Sequence, residues 1–266
     1  MTGKAKAEPA RGFGRAPVES SKVPATMPAP SGKPPRRGAW IAEVWHSSVG
    51  KKYIVAITGV IFVAYVVAHM AGNLKAFQGA GSGEAPIDSY GEWIRTVGEP
   101  VIPHSGVLWA VRAVLLAALV IHVVAVVQLA KRNSAARPDG HPAPRIRRTL
   151  STRTMLPGGL FLLAFVVFHI LHFTTGTVDP GSFASGAVFA NLVGAFDSPF
   201  MVAIYVAAPI ALGFHLRHGI WSAVQTAGWD KPNRNPTIRR TANWLSVIVA
   251  AGFIAVPIAL WAGIVD

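Results

Sequence analysis

Long apolar runs alternate with polar, basic or glycine-rich segments from residue 53 to the end of the chain. Each run is close to the roughly 20 residues that a helix needs to cross about 30 Å of hydrocarbon. The five runs cover residues 53–71, 107–130, 156–173, 200–224 and 244–265. We predict five transmembrane helices, hence an all-α integral membrane fold, with an outer loop over residues 77–104. Pro209 and Pro257 lie inside the fourth and fifth runs, where transmembrane helices tolerate kinks.

The first 38 residues differ from the rest because they are rich in Pro, Ala, Lys and Arg and poor in large apolar side chains. Such a segment buries too little apolar surface to offset the entropy cost of ordering. We therefore predict a disordered, basic cytoplasmic tail over residues 1–38 and a five-helix membrane domain over residues 39–266. Just before the first run, Trp40 and Trp45 stand beside charged residues, which indicates a short interfacial segment.

Basic residues concentrate on one side of this topology. The net charge is +13, and 21 of the 25 Lys and Arg residues fall in segments 1–52, 131–155 and 226–243. Five crossings put these three segments on the same side, which the positive-inside rule assigns to the cytoplasm. We predict a multi-pass protein of the inner (plasma) membrane with its N-terminus in the cytoplasm. Because this charge pattern follows topology, we expect no nucleic-acid partner.

Composition then narrows the chemistry. The chain is 52% hydrophobic and only 14% charged, whereas a soluble domain is about 25% charged. It has no cysteine, which excludes disulfides and thiolate ligands within the chain. The apolar runs also contain no Asp or Glu at depth. A metal centre within this chain would therefore depend on histidine.

Four of the five runs carry histidines at matched depths. Counted from the residue that marks the start of each span, the first histidine follows after 17, 17, 16 and 17 residues. These histidines are His69, His122, His169 and His215. Successive spans run in opposite directions, so offsets of about 25 Å put His69 and His169 toward the outer face. His122 and His215 then lie toward the cytoplasm, and this two-level pattern predicts two stacked bis-histidine hemes inside a four-helix bundle.

Two further histidines and several functions stay open at this point. His172 and His218 share helix faces with His169 and His215, so each has three possible roles: a ligand, a hydrogen-bonding partner or part of a quinone pocket. In membrane proteins, a single histidine within a span can also form a hydrogen bond between two helices. The same histidines also fit a histidine-lined transporter, or a histidine-liganded iron–sulfur centre whose cysteines come from a partner.

Several stretches of the chain resemble the membrane-anchor cytochrome b subunit of succinate dehydrogenases and fumarate reductases, in the single-chain, five-helix, diheme class. The resemblance covers roughly residues 41–265. It is carried by WHSSVGKKYIVAITG and HMAGN, by VIHVV, by VVFHILHF and, most specifically, by FHLRHGIWSAVQTAGW. In that family each of the first four spans supplies one axial heme ligand. The resemblance implies that the ligands are His69 with His169 for the distal heme and His122 with His215 for the proximal heme, with His172 and His218 beside them.

The resemblance also implies a division of work among subunits. A soluble flavoprotein subunit would oxidise succinate to fumarate, and an iron–sulfur subunit would pass the electrons to the cytoplasmic face of this chain. A membrane quinone, expected to be menaquinone, would accept them. The chain itself would dock the soluble subunits, hold two hemes b, contact membrane lipid and shape the quinone site. The whole complex could also form a homo-oligomer. Among redox proteins, the alternative function is that of another histidine-liganded membrane cytochrome b.

We expect the quinone near the cytoplasmic surface, at Trp45, His46, Ser47 and Lys51. The electron donor arrives on that face, and the Trp45 ring with the His46 and Ser47 side chains suits a quinone carbonyl in a mostly apolar pocket. Lys51 would add positive potential for the reduced, anionic intermediate. Interfacial anchoring is the competing interpretation of Trp45 and Lys51. A second site near His69, on the outer side, is the alternative location.

Overall fold

The computed structural model of the protein describes residues 39–135, 150–178 and 183–265. Contacts divide the chain into two units, Met1–Trp40 and Ile41–Asp266. Nearly all of the described residues belong to the second unit, and the tail predicted over residues 1–38 lies outside them. The described residues form helices, turns and loops without any strand. The all-α prediction is therefore confirmed.

Eight α-helices and one 3₁₀ helix make up the described part of the chain. The α-helices are α1 Ala39–His46, α2 Ser48–Asn73, α3 Pro86–Thr96, α4 Gly106–Ala135, α5 Leu150–Phe173, α6 Val188–Phe196, α7 Pro199–Thr226 and α8 Asn235–Trp261. The 3₁₀ helix, Leu74–Gln78, continues directly from α2.

Five of these helices, α2, α4, α5, α7 and α8, are long and apolar enough to cross a membrane, which confirms the five predicted spans. Many of their apolar side chains lie on the outer surface of the bundle, as at Val60, Leu116 and Phe200. Lipid tails would cover these side chains in a bilayer. The protein is thus a multi-pass, all-α membrane protein.

The packing of the long helices centres on α2 and α7, which contact each other. Helix α4 packs on α2, α5 packs on α7, and α8 packs on both α7 and α2. Small residues allow α8 to approach closely. A Cβ added at Gly213 of α7 would lie 3.4 Å from the Cβ of Ala250, and one at Gly252 would collide with the Met70 side chain. Small residues at helix contacts are typical of membrane bundles.

Two sides of the bundle can be distinguished by their charge. The side where α2 begins and α4 ends carries Lys51 and Arg132, and the Arg132 guanidinium donates to the His46 carbonyl at 2.8 Å. We call it the basic side. The other side, where α2 ends, carries the short helices α3 and α6, and we call it the far side.

Helices α3 and α6 form a cap on the far side that the sequence pattern did not predict. Helix α3 lies within residues 77–104, which were predicted to be a loop. The carboxylate of Asp88 in α3 accepts a hydrogen bond from the backbone N–H of Phe189 at 2.9 Å, and so caps the start of α6. A buried apolar cluster lies beneath, including Ile87, Phe189, Leu192, Phe196 and Val256. The cap therefore covers the far end of the long helices.

Candidate functional site

Two of the four predicted ligands meet in the far half of the bundle. The ring centroids of His69 on α2 and His169 on α5 are 5.9 Å apart, and the ring planes are inclined by 75°. We call these two residues the far-side pair. Two imidazoles facing each other within apolar spans are a candidate functional site, because polar groups are costly in the membrane interior.

Aromatic rings surround the far-side pair. The Tyr65 ring stacks on His69 with its centroid 5.4 Å away, and Phe253 lies 5.7 Å from the same imidazole. The Phe165 ring lies 5.7 Å from His169. These rings make an apolar sheath that keeps water away from both imidazoles.

Tyr205 of α7 joins the far-side pair to its neighbour His172. The Tyr205 hydroxyl lies 2.9 Å from Nδ1 of His172 and 3.4 Å from Nδ1 of His169. Both Tyr205 and His172 are buried. Phenylalanine rings also pack around the phenol, at Phe165, Phe168, Phe173 and Phe196. His172 therefore contacts the predicted ligand His169 through a shared hydroxyl, and sequence reasoning did not identify Tyr205.

The other two predicted ligands lie in the half of the bundle nearer the basic side. His122 is on α4 and His215 is on α7. We call them the basic-side pair. Nδ1 of His122 lies 2.8 Å from the Thr58 hydroxyl, and the Phe62 ring contacts the same imidazole edge-on at 5.6 Å. Thr58 was also not identified from the sequence.

His215 has a buried ring nitrogen that lacks a partner. Among the described residues, Nδ1 of His215 makes no hydrogen bond, and an unsatisfied buried polar atom costs about 1–3 kcal/mol. Gly159 of α5 faces this ring, since a Cβ added there would lie 3.5 Å from Cε1 of His215, in van der Waals contact. His218, one turn further along α7, is partly buried. Ligation or a bound partner would compensate the burial of His215.

The far-side pair brings two imidazole rings to a centroid separation of 5.9 Å in aromatic surroundings. Two imidazoles, one from each side, are the donor set of a six-coordinate heme iron. The described residues contain no group of three or more His, Asp or Glu side chains that could hold a metal.

The residues predicted for quinone binding come together at the corner between α1 and α2, where Ser47 has a structural role. The Ser47 hydroxyl accepts a hydrogen bond from the Gly50 backbone N–H at 2.7 Å and donates to the Val44 carbonyl at 3.2 Å. Ser47 is therefore the N-cap of α2. A Cβ at Gly50 would collide with the Val44 carbonyl, so the tight corner requires glycine there.

The same corner holds a buried lysine. Lys51 is only 1% exposed, its ammonium donates to the Trp45 carbonyl, and it lies 5.2 Å from the centre of the Trp45 ring. The His46 side chain is exposed, while its carbonyl binds Arg132. Trp45, His46, Ser47 and Lys51 are thus neighbours, as predicted, but Ser47 and Lys51 also hold the corner together.

An open apolar groove of about 450 Å³ lies between α2 and α4, away from that corner. Its volume falls within the range of about 300–1,000 Å³ that small-molecule sites occupy. It is lined by Ile61, Tyr65, Val107, Val111 and Leu115, among other apolar side chains. None of the residues predicted for quinone binding lines it. Tyr65 connects the groove to the far-side pair, because its ring stacks on His69.

The structure brings the rings of His69 and His169 together and places His122 and His215 in the half nearer the basic side. The roles of all four as ligands stay predictions. Sequence reasoning missed Thr58, Gly159 and Tyr205, which contact the pairs from other helices. Comparisons with protein-family models, with curated proteins and with solved structures give no match.

Proposed function

We propose that the protein is the membrane-anchor subunit of a succinate:quinone oxidoreductase and holds one heme b at each histidine pair. Two levels of paired imidazoles, contributed by four different spans, are the observation that supports this proposal. Bound heme would supply one-electron transfer at each level. The chain would supply the axial nitrogens, the apolar surroundings and the docking surface for the soluble subunits.

The four histidines have the same task in this proposal. His69 and His169 would hold the far-side heme, and His122 and His215 the basic-side heme. A neutral imidazole ligates through the ring nitrogen that carries a free lone pair. Because each pair joins two helices, bundle packing would fix the distance between its nitrogens. The aromatic sheath would exclude water from the far-side iron, which supports electron transfer without side reactions.

Electrons would enter at the basic side. In the proposed orientation this side faces the cytoplasm, where the flavoprotein and iron–sulfur subunits would dock. The basic-side pair would then be the one nearer to the electron donor. The basic residues of segments 131–155 and 226–243 support this orientation through the positive-inside rule.

Quinone would bind at the α1–α2 corner. The exposed His46 imidazole is available to donate to a quinone carbonyl, and Trp45 offers an apolar wall. Lys51 would hold a fixed positive charge beside that site, because Trp45 anchors its ammonium. The groove beside Tyr65 is the second candidate location. Electrons from the basic side would reach a quinone there only by way of both hemes, because the groove lies beside the far-side pair, on which Tyr65 stacks.

A difference spectrum of the purified complex tests the cofactor assignment. We expect reduced-minus-oxidised bands of b-type heme and, by pyridine hemochromogen assay, two hemes per chain. Iron and acid-labile sulfide measured on the same sample identify a histidine-liganded iron–sulfur centre. A complex with neither heme nor sulfide would exclude the redox-anchor function and favour a histidine-lined transporter.

Quinone reductase kinetics test the location of the quinone site. His46→Ala should raise KM for quinone while heme content stays unchanged. Ser47→Ala removes the N-cap of α2, which should lower the stability of the protein by about 1 kcal/mol. Ser47→Asn is its control, because asparagine keeps a capping side chain. If KM is unchanged in His46→Ala but rises in Tyr65→Phe, the quinone binds in the groove instead.

A further inference from the structure

Each histidine pair has one member whose Nδ1 lies beside a hydroxyl group from another helix. Thr58 of α2 is 2.8 Å from Nδ1 of His122, and Tyr205 of α7 is 3.4 Å from Nδ1 of His169. The hydrogen bond that one ring nitrogen makes decides which nitrogen carries the proton, and therefore which one binds a metal. The direction of these two hydrogen bonds thus bears on ligation.

The direction of the Thr58 hydrogen bond follows from its other contacts. The Thr58 hydroxyl also lies 2.8 Å from the Ile54 carbonyl and 3.1 Å from the Val55 carbonyl. Carbonyl oxygens only accept, and a hydroxyl has a single proton to donate. Thr58 therefore donates to the backbone of its own helix and accepts from His122. The proton of His122 then resides on Nδ1, which leaves the lone pair on Nε2.

The Tyr205 hydroxyl also has one proton for two imidazoles. It lies closer to Nδ1 of His172, at 2.9 Å, than to Nδ1 of His169, at 3.4 Å. When both hydrogen bonds form, Tyr205 donates to one histidine and accepts from the other. If Tyr205 donates to the nearer His172, it accepts from His169, whose proton then lies on Nδ1 and whose lone pair lies on Nε2. Both levels then follow the same rule.

We propose that Thr58 and Tyr205 are positioning residues that make Nε2 the iron-facing nitrogen of His122 and of His169. This inference rests on the proposed heme-binding function and extends it to residues that do not touch the heme. The acceptor oxygen also makes the imidazole a more basic ligand, which favours ferric over ferrous iron. The other two ligands differ, since Nδ1 of His215 has no partner among the described residues and His69 makes ring contacts. Each level would pair one oriented imidazole with one that packing alone holds.

Variants that remove only the hydroxyl test the Thr58 assignment. Thr58→Val and Thr58→Ala both remove the hydroxyl, but they change the local packing in different ways. A folding defect in one variant therefore does not hide the effect of losing the hydroxyl. Thr58→Ser restores the hydroxyl. Ser246→Ala is the matched control, because the Ser246 hydroxyl is also buried and also donates to the carbonyl four residues earlier, at 2.7 Å, but belongs to α8.

Tyr205→Phe performs the same test on the far-side pair. It keeps the ring that packs among the phenylalanines and removes only the hydroxyl. Tyr90→Phe is the control, because Tyr90 also lies on the far side, in α3, where its ring stacks on Trp93 with centroids 5.8 Å apart. All variants are studied in the full-length chain, purified with its partner subunits.

Heme affinity and the midpoint potential of each centre are the readouts, and the signal that disappears in His122→Ala identifies the basic-side centre. Thr58→Val should weaken heme binding at that centre by about 10- to 100-fold and raise its midpoint potential. Tyr205→Phe should do the same at the far-side centre alone. Thr58→Ser, Ser246→Ala and Tyr90→Phe should behave as wild type.

The possible outcomes separate this inference from the function on which it rests. Wild-type complex without heme would overturn both. Two normal hemes in the wild type, together with unchanged potentials and affinities in Thr58→Val, Thr58→Ala and Tyr205→Phe, would overturn only the positioning role. Equal shifts at both centres in any one variant would also overturn it, because they would indicate a general packing fault.

Discussion

The far-side and basic-side pairs offer the same donor atoms in different surroundings. Around His69 and His169 the neighbours are aromatic rings, and α6 of the cap contacts Tyr205 through Phe196 at 5.2 Å between ring centroids. Around His122 and His215 the neighbours include the Thr58 hydroxyl, the Phe62 ring and Gly159 of α5. The far-side level therefore has more aromatic neighbours than the basic-side level.

This difference matters for the proposed hemes because burial and hydrogen bonding tune their potentials. Thr58, Gly159 and the far-side aromatic rings are the neighbours through which the chain would tune the potential of a heme at each level. Variants that damage one level and spare the other test this interpretation.

The largest effect should come from removing a predicted ligand at one level. His122→Ala should abolish the basic-side heme, and His69→Ala should abolish the far-side heme. The heme content of each variant should therefore fall from two hemes per chain to one. Pyridine hemochromogen assays and low-temperature difference spectra measure this loss. His104→Ala is the control, because His104 is an exposed residue that pairs with Glu99 at 3.0 Å. Retention of both centres in His122→Ala would disprove the pairing.

A smaller and selective effect is expected from filling the close approach at His215. Gly159→Val should push α5 away from that imidazole, cost about 1–3 kcal/mol of stability and weaken the basic-side heme alone. Gly158→Val is a matched control on the neighbouring glycine, since a Cβ at Gly158 meets nothing within 4 Å. Heme content and thermal unfolding of both variants would be compared. Equal losses in both variants would show that helix propensity, and not contact with His215, is responsible.

The cap should matter only for the far-side level. Asp88→Ala removes the hydrogen bond to the α6 N-terminus and should cost about 1 kcal/mol, seen as a lower unfolding temperature. It should also shift the spectrum of the far-side heme and leave the basic-side spectrum unchanged. Glu92→Ala, which breaks only the exposed pair with Arg95, should cost about 0.5 kcal/mol or less. A shift confined to the basic-side heme would contradict this view of the cap.

The smallest effect is expected from the N-terminal tail. Deleting residues 1–38 should leave heme content and both midpoint potentials unchanged, because this segment has too little apolar surface to pack on either level. The comparison is full-length against truncated protein, each in its complex. Loss of either heme would show that the tail contributes to that level.

Five spans and two histidine levels could be predicted because each depends on local order along the chain. An apolar run of the right length indicates a membrane span, and the position of a residue within the span indicates its depth in the membrane. These two rules paired His69 with His169, whose rings are in contact, and His122 with His215, without knowledge of any packing. The N-cap role of Ser47 was not predicted, although a serine just before a helix is a start signal.

The groups that support the histidines could not be read in the same way. Thr58 and His122 are 64 residues apart in the chain, and Tyr205 and His169 are 36 apart. A threonine or a tyrosine within an apolar span has many possible partners, and only helix packing selects one. The cap depends on a contact over 101 residues, from Asp88 to Phe189. No local periodicity marks such a contact.

The order of the histidines along the chain has a consequence for biogenesis. His69 and His122 lie before the connection between α4 and α5, and their partners His169 and His215 lie after it. The N-terminal half of the protein therefore carries one proposed ligand for each level, and the C-terminal half carries the other two. During synthesis neither half alone completes a bis-histidine site. Insertion of a proposed cofactor would thus be a late step in biogenesis. It would join two halves of the chain that are synthesised at different times.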